Sequence, residues 1–266
     1  KLGVKMKKLV VFLSVFLFLS VLSVKSAEMR IIQVDNLMYT PTNSASVKSF
    51  EKIIQSINKQ KNVEFVIFSG NNISKPKKEY LESFIKQAKT LDAPFYVIMG
   101  SKELNRQKDF GKKEYVKVLQ KKMWAYRKIN APNYVFTKNK QVFIVVDGSK
   151  DVITTSMGYY RADTIQWLNN QLKANKNKNV IILQHFPLIP PAEKEHMYTY
   201  KADEYLEMLS EHDNVKAIIS GHFGVNKEIN HNGIIHISTA SAPCYRIIDI
   251  IDFETENPTF WSVIKE

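Results

Sequence analysis

The feature that most constrains the fold of this chain is a regular alternation of short apolar segments with amphipathic ones. Six segments rich in Ile, Val and Phe are typical of buried strands, and they span residues 30–34, 63–69, 94–99, 142–146, 180–183 and 215–219. Five segments with apolar residues at helical spacing predict helices over 46–59, 78–90, 112–120, 162–174 and 201–210. This alternation predicts an α/β fold with parallel strands. Four further strands are predicted over 227–230, 234–238, 245–253 and 259–264, where intervening turns favour antiparallel pairing.

The N-terminal residues have the order of a secretory signal peptide. Met6 and the two lysines after it resemble a translation start with a charged region, so residues 1–5 are interpreted as upstream sequence. An uncharged apolar run over 9–24 and small residues follow. We therefore expect a signal peptide over 1–27, no stable membrane span after cleavage, and an exported domain over 28–266, periplasmic or extracellular. The alternative is an uncleaved N-terminal membrane anchor, although the run is shorter than the ~20 residues of a spanning helix.

The formal net charge of +12 raises the question of nucleic-acid binding. Five of the basic residues lie within positions 1–25, and only five of the 38 are Arg. Arg is the residue that best forms planar contacts to phosphates and base edges, so no nucleic-acid partner is expected. Cys244 is the single cysteine, which excludes an intrachain disulfide. The sequence has no G-x-S-x-G, P-loop or strand-linked G-x-G-x-x-G motif.

Polar loops follow five of the predicted strands, and in open α/β sheets the functional groups gather at the carboxyl ends of strands. These loops are Asp35-Asn36-Leu37-Met38, Gly70-Asn71-Asn72, Gly100-Ser101-Lys102-Glu103, His185-Phe186-Pro187-Leu188 and Gly221-His222-Phe223-Gly224. Their order along the chain predicts one shared site.

The same order resembles the calcineurin-like metallophosphoesterase family, whose members carry D-x-H, G-D, G-N-H-[DE], H-x-P and G-H-x-H at successive strand ends. Gln166-Trp167-Leu168 and the apolar segment that ends at Asp147 also resemble family segments. The resemblance implies a four-layer α/β/β/α sandwich with mixed sheets over residues 28–266. It also implies phosphoester hydrolysis at two metal ions, which one carboxylate and a water or hydroxide bridge.

Most of the family's ligand positions are occupied here by other residue types. The Asp and His of the family's first motif correspond to Asn36 and Met38, and the bridging Asp corresponds to Asn71. The Asn of the third motif corresponds to Ser101, the His that assists the leaving group to Lys102, and the last His to Gly224. His185 and His222, both second-metal ligands in the family, keep their type. Moving the first alignment by one residue places Asp35 at the Asp position but Leu37 at the His position.

These replacements predict a degenerate metal site and the loss of hydrolysis. A neutral amide at Asn71 cannot offset two dications, and Lys102 would place a further cation where the metals would be. His185, His222 and Asn71 remain as a half-site for at most one weakly bound divalent transition metal, so no cofactor is expected. Lys102 and Glu103 are interpreted as a solvated ion pair, or Lys102 as a cation for an anionic ligand.

Two functions follow from this reading of the sequence. The first is an exported binding module of the metallophosphoesterase fold, catalytically impaired or inactive, which uses the cleft for a phosphate-bearing or anionic ligand. The alternative is an active metal-dependent phosphoesterase that works with a residual mononuclear site. The other histidines, His196, His212, His231 and His236, match no motif and are interpreted as surface or packing residues.

Overall fold

A computed structural model describes residues 28–152, 155–194 and 196–265. The predicted signal peptide lies outside the described residues. Within these residues the strands are β1 Glu28–Val34, β2 Val63–Phe68, β3 Phe95–Val97, β4 Tyr134–Lys138, β5 Gln141–Val146, β6 Gly158–Tyr159, β7 Val180–Gln184, β8 Thr199–Tyr200, β9 Val215–Ser220, β10 Lys227–His231, β11 Ile234–Ser238, β12 Tyr245–Ile251 and β13 Thr259–Lys265. The α-helices there are α1 Ser44–Asn58, α2 Lys78–Ala88, α3 Lys112–Lys122, α4 Ala162–Ala174 and α5 Ala202–Ser210.

Two mixed sheets form the centre of the fold. One has the order β13-β12-β1-β2-β3 and the other the order β10-β11-β9-β7-β5-β4, while β6 and β8 pair separately. In the first sheet β1, β2 and β3 are parallel, and in the second β5, β7, β9 and β11 are parallel. The predicted antiparallel finish is present in the β10–β11 and β12–β13 pairs.

The sheets pack face to face, with helices on their outer faces. Phe65 of β2 contacts Phe143 of β5 across the sheet interface, with ring centroids 5.0 Å apart. Phe68, three residues further along β2, points the other way and contacts Phe84 of α2 at 5.0 Å. Ile144 of β5 belongs to a second apolar cluster that includes residues of α4 and α5. The predicted α/β/β/α sandwich is therefore confirmed.

Several element boundaries differ from the predictions for local reasons. Helix α1 begins at Ser44 because the side chain of Asn43 caps it, accepting hydrogen bonds from the backbone N–H groups of Ala45 and Ser46. Strand β4 was not predicted, since its apolar run covers only three residues and most of the strand is half-buried or exposed at the edge of the sheet. The two-residue strands β6 and β8 are too short for a periodic signal. No helix in the described part of the chain is long and apolar enough to cross a bilayer.

Candidate functional site

A cleft of about 550 Å³ lies where the loops after β1, β2, β3 and β9 meet. Six of the predicted positions line it, namely Asn36, Met38, Asn71, Ser101, Lys102 and His222. His185 is fully buried beside His222. Gly224 does not line the cleft, but its neighbour in space, Ser241, does. The structure therefore brings the predicted loops together into one site.

His185 and His222 form one part of the cleft floor, the imidazole half. His185 Nδ1 lies 2.7 Å from the carbonyl oxygen of Ser69, so this nitrogen carries a proton and donates it. His185 Nε2 lies 3.2 Å from His222 Nδ1. Burial lowers the pKa of His185 well below its usual value and that of His222 to about 4. Both imidazoles are therefore neutral at neutral pH, and His222 Nδ1–H donates to His185 Nε2.

The other ring nitrogen of His222 has no hydrogen-bond partner. His222 Nε2 is buried and unpartnered among the described residues. The backbone carbonyls of Ser156 and Met197 face this imidazole and raise its pKa, although burial outweighs them. With the proton on Nδ1, the lone pair of Nε2 therefore faces carbonyl oxygens, which have no proton to donate to it.

Asn36 and Asn71 form the other part of the floor, the amide half. Asn71 Nδ2 donates to Asn36 Oδ1 at 2.8 Å, and Asn36 Nδ2 donates to the carbonyl oxygen of His222 at 3.1 Å. Asn71 Oδ1 accepts the backbone N–H of Lys102 at 3.0 Å. Each amide therefore uses both its donor and its acceptor atoms. Two aspartates at these positions would instead face each other as two acceptors.

Asp35 is a buried anchor of the imidazole half and does not face the contact between the two imidazoles. Its Oδ1 accepts from Ser69 Oγ at 2.8 Å and its Oδ2 from the backbone N–H of His222 at 3.0 Å. Asp35 Oδ1 lies 3.9 Å from His185 Nδ1, whereas the contact with His222 is at Nε2. Both oxygens of Asp35 thus have partners of their own, on the side of His185 away from the contact with His222. Burial raises the pKa of Asp35 well above its usual value.

The interpretation of Lys102 and Glu103 as a solvated ion pair is wrong. Glu103 is fully buried, its Oε2 accepts the backbone N–H of Gly100 at 2.8 Å, and its Oε1 accepts that of Asn72. Burial raises the pKa of Glu103 to about 7, although these donors favour the carboxylate. Lys102 is exposed at the cleft. Because the two imidazoles are in direct contact, its ammonium does not lie between them.

Comparison with known proteins assigns the family. The model of the family described as calcineurin-like phosphoesterase matches residues 43–226, which is more than half of the chain. The chain belongs to this family. The match begins after the loop that contains Asn36 and Met38, so the place of that loop in the site comes from the structure.

Relatives of this calcineurin-like phosphoesterase agree with the assignment. A probable cyclic nucleotide phosphodiesterase from Xenorhabdus bovienii is 24% identical over 191 residues, covering 70% of this chain and 72% of the relative. A dimetal phosphatase from Danio rerio has the same fold, with a TM-score of 0.63 and 13% identity, over 87% of this chain and 98% of the other. The Plasmodium protein GAP50, named as the anchor in the inner membrane complex, has a TM-score of 0.56 and 16% identity, over 84% of each chain.

The site residues of this chain do not fit a dinuclear metal centre. In the part of the chain that the structure describes, no three His, Cys, Asp or Glu side chains are grouped so that they could hold a metal ion. The amide of Asn71 is bonded to Asn36, where a bridging carboxylate would have to contact two cations. The hydrogen bond between the amides thus occupies the place that two ligand carboxylates would need.

The backbone of the site keeps an unusual conformation despite these replacements. Asn36, Met38, Asn71 and His222 all have positive φ angles, between 48° and 73°. Asn tolerates this region, but Met38 and His222 do so at a cost of about 1 kcal/mol or more each. Hydrogen bonds hold the loops in place, including Met38 N–H to the carbonyl of Asn71 at 2.8 Å. Backbone hydrogen bonds between neighbouring loops therefore hold these residues in the left-handed conformation.

Proposed function

We propose that this chain is an exported member of the calcineurin-like phosphoesterase family that binds a phosphate-bearing or other small anionic ligand in its cleft without hydrolysing it. The observation that carries the proposal is the 2.8 Å hydrogen bond from Asn71 Nδ2 to Asn36 Oδ1. Hydrolysis in such a site depends on cations that polarise the phosphoryl group and activate a water molecule. A floor in which the two amides satisfy each other has no uncompensated negative charge with which to hold those cations.

The charges around the cleft favour an anion. Lys102 is exposed there, and no Asp or Glu is among the residues that line it. The carboxyl groups of Asp35 and Glu103 are fully buried and accept hydrogen bonds from backbone N–H groups, that of His222 for Asp35 and that of Gly100 for Glu103. A phosphate in the cleft would therefore meet a cation and neutral amides, with no exposed carboxylate to repel it.

The proposal of export is supported by the order of the N-terminal residues. A charged start is followed by an apolar run and then by small residues before Glu28. The first described strand begins at Glu28, so the removal of residues 1–27 would leave every described element complete. An uncleaved anchor is the alternative location. The Plasmodium structure of the same fold is named as an anchor, which suits a role for this fold other than hydrolysis.

Metal analysis combined with activity assays tests the proposal. We expect no stoichiometric metal in the purified protein and no turnover of p-nitrophenyl phosphate or bis-p-nitrophenyl phosphate above that of His185→Ala. We also expect inorganic phosphate to bind, as measured by calorimetry, and Lys102→Gln to weaken that binding. Stoichiometric metal together with turnover that His185→Ala and His222→Gln both abolish would contradict the proposal.

A mononuclear phosphoesterase is the second candidate, and the unpartnered His222 Nε2 is the observation that favours it. One cation in place of the proton between the imidazoles would let His222 carry its proton on Nε2, toward the carbonyls of Ser156 and Met197. His185, His222 and Asn71 would hold such an ion, which would supply Lewis-acid activation of a phosphoester.

A zinc titration separates the two candidates. If the second candidate holds, one equivalent of Zn²⁺ binds with at least micromolar affinity and raises the melting temperature, and His222→Gln loses both effects. Under the first proposal, Zn²⁺ changes the melting temperatures of the native chain and of His222→Gln only slightly, and by the same amount.

A further inference from the structure

The positive charge of this protein is concentrated on one short segment. Residues 112–128 contain seven basic residues and one acidic residue, a net charge of +6. Residues 28–266 as a whole have a net charge of +7. The rest of the folded domain is therefore almost neutral, so most of its excess positive charge lies in this segment.

Five of these basic side chains are exposed on or shortly after α3. Lys113, Lys117 and Lys121 are exposed and lie four residues apart on α3, so they form one row along the helix. Arg127 and Lys128 are exposed after the short turn over Trp124–Tyr126 that follows α3. We call these five residues, together with Trp124, the basic face. The opposite side of α3 is packed into the core.

The charges of the basic face are not neutralised within the chain. Of the other two basic residues of the segment, Lys112 Nζ lies 2.6 Å from Asp147 Oδ2 and Lys122 Nζ lies 3.4 Å from Glu82 Oε1. For the five residues of the basic face, the described part of the chain provides no ion pair. Two lysines of the basic face, Lys117 and Lys121, line the groove between α2 and α3 together with Glu82, Asp109 and Glu114, but the described residues give neither lysine an ion pair with these carboxylates.

An exposed tryptophan lies among these basic residues in the sequence. Trp124 is 80% exposed, although the residues around it, Met123 and Tyr126, are buried. The backbone N–H of Arg127 donates to the carbonyl of Trp124 at 3.2 Å, and Tyr126 Oη accepts the backbone N–H of Val97 at 2.8 Å. The turn is therefore fixed, and the large indole remains in solvent, which is unusual for Trp.

We propose that the basic face docks on the surface of an anionic lipid bilayer. Four of its five charges are lysines, whose ammonium groups act as point charges and suit mobile headgroups without requiring a fixed planar geometry. Tryptophan prefers the interface between membrane and water, so Trp124 anchors the contact. A single-stranded nucleic acid would be recognised by several stacked aromatic side chains, whereas this surface offers one. This inference is independent of the ligand in the cleft.

Vesicle sedimentation tests the proposal on a chain that begins at Glu28. This form removes the apolar N-terminal run, and it keeps both core clusters complete because all of their residues lie at Met29 or beyond. We expect it to bind phosphatidylglycerol–phosphatidylcholine vesicles and not pure phosphatidylcholine vesicles. Lys113→Gln/Lys117→Gln/Lys121→Gln should weaken binding about 100-fold, since each basic side chain near an anionic surface contributes roughly a factor of five.

A matched variant controls for net charge. Lys173, Lys176 and Lys178 are exposed at the end of α4 and in the loop after it, and their replacement by Gln removes the same charge. We expect this variant to bind vesicles within about threefold of the unchanged chain, because these lysines lie outside the surface that faces the lipid. Equal weakening by the two triple variants would overturn the proposal.

Tryptophan fluorescence gives a second measurement. Anionic vesicles should shift the emission to shorter wavelength, and Trp124→Phe should abolish the shift, while the other two tryptophans, Trp167 and Trp261, remain. The same shift in Trp124→Phe would contradict the assignment of Trp124 to the interface. Tighter binding to oligo(dT) than to anionic vesicles at equal ionic strength would overturn the choice of lipid as partner.

Discussion

The imidazole half and the amide half of the cleft floor lie side by side but are stabilised in different ways. His185 and His222 are held by groups behind them, the carbonyl of Ser69 and the carboxylate of Asp35, which bonds the backbone of His222. Asn36 and Asn71 are held mainly by each other and by backbone groups of the neighbouring loops. The imidazole half leaves one buried nitrogen without a partner, whereas the amide half leaves none among the atoms described.

This difference indicates how the floor of the cleft can be held together by hydrogen bonds of the protein itself. Replacement of Asp by Asn changes an acceptor into a group that can both donate and accept, so two facing side chains can bond directly. Two facing imidazoles differ from two facing amides, because only one of the two ring nitrogens in contact can carry the proton of their hydrogen bond. The amide half is therefore complete without a ligand, and the imidazole half keeps the capacity for a cation or proton.

The largest expected effect comes from returning the amide half to carboxylates. In Asn36→Asp/Asn71→Asp two acceptors replace the 2.8 Å hydrogen bond, so we expect the free energy of unfolding to fall by about 4 kcal/mol in EDTA. Addition of Mn²⁺ or Zn²⁺ should recover part of the loss in this variant and change the unaltered chain little. Chemical denaturation with and without metal measures both effects.

The single variant Asn36→Asp is the matched control for that experiment. The amide of Asn71 can still donate to the new carboxylate, so the loss should be less than half of that of the double variant. A double variant as stable as the native chain in EDTA would show that the hydrogen bond between the amides does not support the floor.

A somewhat smaller loss is expected when the anchor of the imidazole half is removed. Asp35→Ala leaves the buried backbone N–H of His222 without its acceptor and leaves Ser69 Oγ only the longer contact of 3.3 Å to the carbonyl of Val34, so we expect about 3 kcal/mol of destabilisation. Asp35→Asn keeps one acceptor oxygen and should lose less. Equal stabilities of Asp35→Ala and the native chain, from urea denaturation, would rule out this role.

The two halves should also differ in their dependence on pH. The pKa of His222 is about 4 in the folded chain against 6.5 for an ordinary histidine, so protons bind more tightly to the unfolded chain. His222 should therefore lower the free energy of unfolding by about 2.5 kcal/mol as pH falls from 6.5 toward 4, whereas Glu103, whose pKa burial raises to about 7, contributes in the opposite direction.

Variants of each half separate this contribution from those of other histidines. His222→Gln should have a shallower slope of stability against pH over that range, and Asn36→Ser the slope of the native chain. His236, whose pKa burial also lowers to about 4, adds the same slope to all of them. Identical slopes in His222→Gln and the native chain would contradict the assignment to the imidazole half.

The smallest effect on stability is expected at the rim of the cleft. Lys102→Gln removes an exposed side chain, so the free energy of unfolding should change by less than about 0.5 kcal/mol. Its affinity for inorganic phosphate, measured by calorimetry, should fall about fivefold, while Lys176→Gln on the far side should leave it unchanged. An unchanged affinity in Lys102→Gln would remove this lysine from the anion site.

Much of the architecture was predictable because buried parallel strands carry a strong local pattern. The order of strands and helices, the antiparallel finish and the positions of the five loops follow from apolar runs and their turns. The edge strand β4 could not be found in this way, since partial burial weakens its pattern. The burial of Glu103 was also missed, because its acceptor role depends on backbone donors of Gly100 and Asn72 that only the fold brings near.

The sequence alone determined the family resemblance, the sandwich fold and the list of altered ligand positions, since these depend on residue types in chain order. Only the tertiary structure decided how those positions interact. Asn36 and Asn71, 35 residues apart, form a hydrogen bond, while Asp35 points to the rear of the imidazole half. The physical reason is that side-chain direction and hydrogen-bond partners at a strand end are set by the neighbouring loops, which come from distant parts of the chain.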